Sequence, residues 1–135
     1  MRASLYLTST RHLDPVEITE RTGLTMDHGI ALGDVRTMAN GSASPPSKVS
    51  MWSHNSGEFE RTFDLQGILD RFLDGIEPVA EELASVRREF DLNAHITLNV
   101  QMSDGVTPDG TLQASTLARL VALDIDLDLD LYTEQ

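Results

Sequence analysis

The 135-residue chain contains no cysteine, which removes disulfides, thiolate metal sites and cysteine nucleophiles from consideration. Lysine is almost missing too: of ten basic residues only Lys48 is a lysine, and the rest are arginines. Nucleic-acid binding needs clustered Lys and Arg to displace counterions from phosphates, so it is not expected. No apolar run approaches the roughly 20 residues that cross a bilayer, and the opening MRASLYLTST carries too short an apolar core for a secretory leader. No membrane association is expected, and the cytoplasm is the expected location.

What the chain has in excess is negative charge. Its 22 acidic residues against 10 basic ones leave a formal net charge of -12. Such a surface favours solubility and draws basic partners at raised association rates. A hydrophobic content of 40% with 24% charged residues is ordinary for a globular protein, and the length suits one domain spanning residues 1–135.

The chain is well punctuated at its start. SLYLTS (4–9) alternates, with Leu5 and Leu7 on one side and Tyr6 and Thr8 on the other, as in a half-buried strand. In LDPVEITERTGL, Asp14 reads as an N-cap, Pro15 as the first helical residue and Glu17 as the closing member of a capping box. Leu13 and Ile18 stand at hydrophobic-staple spacing, and Gly23 supplies the stop. Residues 24–48 hold glycines and prolines among small polar residues and read as a long loop. A brief strand near DVRTM could pair as a hairpin with KVSMWSH (48–54) across the NGSASPPS loop.

From Thr62 the period changes. Leu65, Ile68, Leu69, Phe72 and Leu73 make one apolar helical stripe ended by Gly75. Pro78 opens a second helix with Val79, Leu83, Val86 and Phe90 inward. HITLNVQM (95–102) is a strand burying Ile96, Leu98, Val100 and Met102, and SDGVTPDG is a turn. A helix over 114–123 points Leu117, Leu120 and Val121 inward, and LDIDLDLDLY closes the chain as a strand. Each strand is apolar on one parity only, so one sheet face is covered and the other wet. The expected architecture is α+β: a two-layer α/β sandwich, its sheet mostly antiparallel or mixed, with helices packed on one face.

The stretch LDPVEITERTGL, the later Gly33–Asp34, the strand around Trp52, the LQGILDRFLDGIEP helix and the terminal DLDLY together resemble a family of bacterial domains of unknown function. That family carries an Asp-Pro-x-x-Ile-Thr helix start, a single Trp strand and a C-terminal Asp-x-Asp-x-Tyr strand. Where its pattern has Pro after the Gly-Leu turn, this chain has Thr25 and Met26. The resemblance spans nearly the whole chain and implies a fold, with no established activity attached.

The aspartate row offers the sharpest test of chemistry. Asp124, Asp126 and Asp128 match calcium-loop positions 1, 3 and 5, but that loop needs Gly at position 6 and Glu at 12, where Leu129 and Gln135 stand. As strand residues, successive aspartates lie about 6.7 Å apart on one face and repel by roughly 0.6 kcal/mol per pair in water. The row therefore stays solvated or meets a positive partner. By parity Tyr6, Trp52, His54, His95 and Tyr132 share that open face with Asp124, Asp126, Asp128 and Asp130, Trp52 being core instead if its strand sits with the opposite face inward, and aromatics with polar handles are common interface anchors. These nine are the candidate partner-binding residues.

No Gly-x-Ser-x-Gly elbow or phosphate loop is present, and the four histidines lack metal-ligand spacing. No cofactor, metal or catalytic residue is assigned. The function expected is a non-enzymatic binding or regulatory module for a basic protein, with immunity-type neutralisation of a basic toxin as one version. The alternative is a small-molecule or metal-dependent enzyme using a cluster of His54, His95 and an aspartate. The row should also prevent a face-to-face sheet dimer at neutral pH, the oligomeric state being otherwise open.

Overall fold

A computed structural model of the protein describes residues 1–57, 64–102 and 110–133. The elements run β1 (Arg2–Ser9), α1 (Val16–Thr22), β2 (His28–Ile30), β3 (Ser50–Asn55), α2 (Leu65–Ile76), a 3-10 turn (Glu77–Val79), α3 (Ala80–Phe90), β4 (Asn93–Met102), α4 (Ala114–Leu123) and β5 (Asp126–Thr133). The strands form one mixed, open sheet in the order β2-β3-β1-β4-β5, with β2 antiparallel to β3 and β4 parallel to β5. The fold is α+β. The SDGVTPDG turn falls largely, and the start of the helical period at Thr62 wholly, outside the described residues.

By their internal contacts the residues group into two compact units, one of Leu7–His54 with Glu81–Asn93, the other of Met1–Tyr6, Asn55–Ala80 and Ala94–Gln135. In the first, α1 starts at Val16, one residue after the expected first helical position, with Pro15 as its N-cap. The Val16 N–H donates to the Asp14 carboxylate at 3.1 Å and the Glu17 N–H to the Asp14 carbonyl at 3.1 Å. The return bond of a capping box, from the Asp14 N–H to the Glu17 carboxylate, is absent among the described residues, so the expected box is not formed. Gly23 ends the helix with a left-handed φ of 75°, its N–H bonded to the Thr19 carbonyl, a conformation that costs a residue without Cβ nothing.

The expected hairpin is corrected. The partner of β3 is β2, in the register His28↔Ser53, Gly29↔Trp52 and Ile30↔Met51, while DVRTM contributes only an isolated Thr37↔Ala43 bridge. Glycine is required at position 29, because a Cβ there would sit 2.4 Å from the Met26 sulfur and 2.9 Å from Pro15. Buried Ser50 holds this unit together: its Oγ donates to the Arg11 carbonyl (2.8 Å) and accepts from the N–H groups of Leu13 (3.1 Å) and Leu32 (3.0 Å). In the same unit Leu7, Leu13, Ile18, Trp52, Leu83 and Val86 are buried. Each such side chain contributes about 1.5–3 kcal/mol.

In the second unit, Asp64 caps α2 by accepting from the Gly67 N–H at 3.0 Å. The helix runs through Gly75 to Ile76 rather than stopping there. Its stripe of Leu65, Ile68, Leu69, Phe72 and Leu73 is buried, as are Ile96, Leu98 and Val100 on alternate positions of β4. Helix α4 keeps the expected bounds but turns differently: Thr116 and Leu120 are buried, while Leu117 and Val121 are 43% and 79% exposed.

Candidate functional site

The eight-residue register between β4 and β5 decides which side chains share a face. His95 lies opposite Asp126, Thr97 opposite Asp128, Asn99 opposite Asp130 and Gln101 opposite Tyr132. The intervening pairs, Ile96 with Leu127, Leu98 with Leu129 and Val100 with Leu131, carry the apolar parity. Successive strand residues point to opposite faces, so Asp126, Asp128, Asp130 and Tyr132 stand with His95, Thr97 and Asn99 on the polar one.

Tyr6 joins them from β1. Its ring stacks on the His95 imidazole with centroids 5.1 Å apart and planes 15° from parallel. His95 Nε2 lies 3.9 Å from Asp128 Oδ2, an ion pair whenever the imidazole is protonated. The Tyr132 hydroxyl donates to Asp130 Oδ2 at 2.6 Å. That bond, with the carboxylate charge beside it, raises the pKa of the phenol, since ionisation would set a phenolate against a carboxylate. The result is an exposed acidic strand bordered by two tyrosines and a histidine.

Three expected members stand elsewhere. Asp124 is not in the row: it terminates α4 in the left-handed region at φ 53°, with its N–H directed to the Leu120 and Val121 carbonyls. Trp52 is fully buried, and its indole N–H donates to Thr19 Oγ1 of α1 at 3.0 Å, so it is core and not open face. His54 follows it, stacked on the indole with centroids 6.1 Å apart. His54 Nδ1 lies 2.8 Å from the Thr25 carbonyl, which can only accept, so the proton belongs on that nitrogen. Ser50 and Trp52 take the inner parity of β3 because Ser50 finds three hydrogen bonds there and the indole is the larger apolar body. His54 and His95 thus have different neighbours, Thr25 and Trp52 for one, Tyr6 and Asp128 for the other. Among the described residues no group of three or more His, Cys, Asp or Glu side chains is placed to hold a metal ion.

Two features were not anticipated. Asp70, Asp74 and Glu77 recur at i, i+4 and i+7 and converge on Arg119 of α4. The guanidinium reaches Glu77 at 2.5 Å, Asp74 at 2.6 Å and Asp70 at 3.3 Å. Asp70 also accepts from Thr116 Oγ1 (2.7 Å) and from the Gln66 amide (2.7 Å), and Gln66 bonds Thr116 in turn. The Thr116 bond, then those from Gln66 and the nearby guanidinium, outweigh partial burial and lower the pKa of Asp70. The hydrogen bonds to Glu77 and Asp74, and then their charges, push that of Arg119 upward. This network ties α4 to α2. The other feature is a cavity of about 540 Å³ lined by Ile30, Arg36, Met38, Ser44, Pro45 and Ser47 among others. Its serines already serve the loop, Ser44 Oγ accepting from the Arg36 N–H and Ser47 Oγ donating to the Val49 carbonyl.

No described helix is long and apolar enough to cross a membrane. No curated protein and no solved structure matches the chain. Residues 1–134 match the family model of DUF4279, a domain of unknown function, and the chain belongs to that family.

Proposed function

We propose that the protein is a non-enzymatic binding module that meets a basic protein partner through the acidic face of β4 and β5. The observation that carries the reading is the register: it aligns Asp126, Asp128 and Asp130 on one line, the first two exposed and the third half-buried, with Tyr6, His95 and Tyr132 beside them. A row of like charges repels itself and is relieved by a cationic surface, while the tyrosines supply contact area with polar ends. The net charge of -12 adds long-range attraction for the same class of partner. Neutralising a basic toxin, as immunity proteins do, is one concrete form of this role.

The test begins with affinity capture by the full chain, followed by association kinetics of the identified complex at two salt concentrations. Charge reversal in the double variant Asp126→Lys, Asp128→Lys should slow association at least about tenfold at low salt and flatten its salt dependence, with folding intact. Association rates that do not change would overturn the proposal.

A further inference from the structure

We infer that the outer edge of β5 is a strand-docking site, taking an extended segment in which basic and apolar residues alternate. The inference rests on the reading of the acidic strand as a partner surface and adds how the partner is held.

Strand β5 is the last in the sheet order, and among the described residues no strand pairs with its other side. Every second N–H and C=O of a terminal strand points away from its neighbour, a ready template for one more strand. The eight-pair register with β4 spans the whole of β5, so the template is already formed. The apolar parity ends abruptly at this edge. Leu98 and Val100 on β4 are 0% and 1% exposed, yet their register partners Leu129 and Leu131 are 52% and 55% exposed. Those two leucines share one sheet face with the buried side chains and, among the described residues, have no strand beyond them. An added strand, about 4.8 Å away, would set its own apolar residues beside them.

On the opposite face the same added strand would meet Asp126, Asp128 and Asp130. Because side chains alternate, a segment whose apolar residues lie by the leucines must place its remaining residues by the aspartates. Lysine or arginine there satisfies the row, and glutamate or aspartate repeats its repulsion. This selects the occupant. A second copy of the chain, pairing β5 against β5, would bring one aspartate row beside its own image and is disfavoured at neutral pH. The partner segment is therefore basic and alternating, of six to eight residues if it covers the strand.

The test uses the full chain and a blocked synthetic octapeptide alternating valine and lysine, read by fluorescence anisotropy and by hydrogen exchange of the β5 amides. Controls are a peptide of the same composition with its four lysines in one block, and two analogues N-methylated on one or the other set of alternate residues. The alternating peptide should bind at least tenfold more tightly than the blocked one and slow exchange in β5. One N-methylated analogue should lose at least tenfold and the other little, because only one edge of the peptide can pair. Equal binding of the alternating and blocked peptides, or of the two analogues, overturns strand docking and leaves the acidic-face reading standing. Absence of binding by any of the cationic peptides overturns both. Protection of β5 that rises with protein concentration and no peptide would assign the edge to a second copy and also overturn it.

Discussion

The reversal of Trp52 shows how side-chain size and hydrogen bonding outrank a count of apolar residues. In KVSMWSH, Val49 and Met51 outnumber Trp52 on their parity, yet Val49 is 37% exposed and Trp52 is fully enclosed. The indole removes more apolar surface from water than either, and its N–H is satisfied by Thr19 (3.0 Å), so nothing polar is left stranded. Trp52→Phe keeps the ring and loses that bond and part of the filled volume. It should cost about 1–2 kcal/mol, and Trp52→Ala about 3–5 kcal/mol. Urea unfolding measures both, and because this is the chain's single tryptophan its emission reports the wild-type transition directly. Association of Trp52→Phe with a basic partner should match the wild type, since the indole is not on the acidic strand.

The elements differ in how openly the sequence announces them. Helix α1 is bracketed by Asp14 and Gly23, both visible as residue types, and the parities of β4 and β5 follow from strict alternation. The pairing of β2 with β3 was not legible, because a three-residue strand has no periodicity and its register depends on Gly29 fitting against Met26 and Pro15. Thr116 on α4 lies outside the expected inward set of Leu117, Leu120 and Val121. It is buried because Asp70 and Gln66 on α2 satisfy its hydroxyl, a pairing between segments some 50 residues apart. The spacing of Asp70, Asp74 and Glu77 was a signal of that network, lacking only the knowledge of which arginine answers it. Arg119→Ala removes three partly exposed ion pairs, each worth roughly 0.2–1 kcal/mol, and leaves carboxylates at i and i+4 in mutual repulsion. A loss of about 1–2 kcal/mol is expected at pH 7. Asp70 has a folded pKa below its ordinary value, so its contribution is complete above the unfolded pKa and disappears as pH falls through the folded one. Between pH 7 and a pH below the ordinary carboxylate range, the variant should accordingly approach wild-type stability at the acid end, seen as converging urea midpoints. A loss of equal size at both pH values would mean that packing of the arginine stem, and not its charge, holds α4.

For the whole molecule, charge governs association. At neutral pH the net charge of -12 opposes any contact between copies, and the acidic strand concentrates that opposition. A two-fold contact through this face would set each aspartate row beside its image. Every carboxylate pair within about 7 Å then costs roughly 0.6 kcal/mol in water, and more where the contact excludes solvent. Cations that could interleave are scarce. Among the residues of β1, β4 and β5 the one arginine or lysine is Arg2, on the parity of Tyr6. We therefore expect no face-to-face dimer at pH 7–8 and low salt. Acidification removes the obstacle: as pH falls toward the sequence pI of 4.5 the net charge of the chain vanishes, and with it the long-range repulsion between copies. Light scattering from pH 8 to 4 should show association only at the acidic end, and Asp128→Asn should move its onset toward higher pH. A dimer already present at pH 8, indifferent to salt and abolished by Tyr132→Ala, would mean that contact area at this face outweighs the charge of the row.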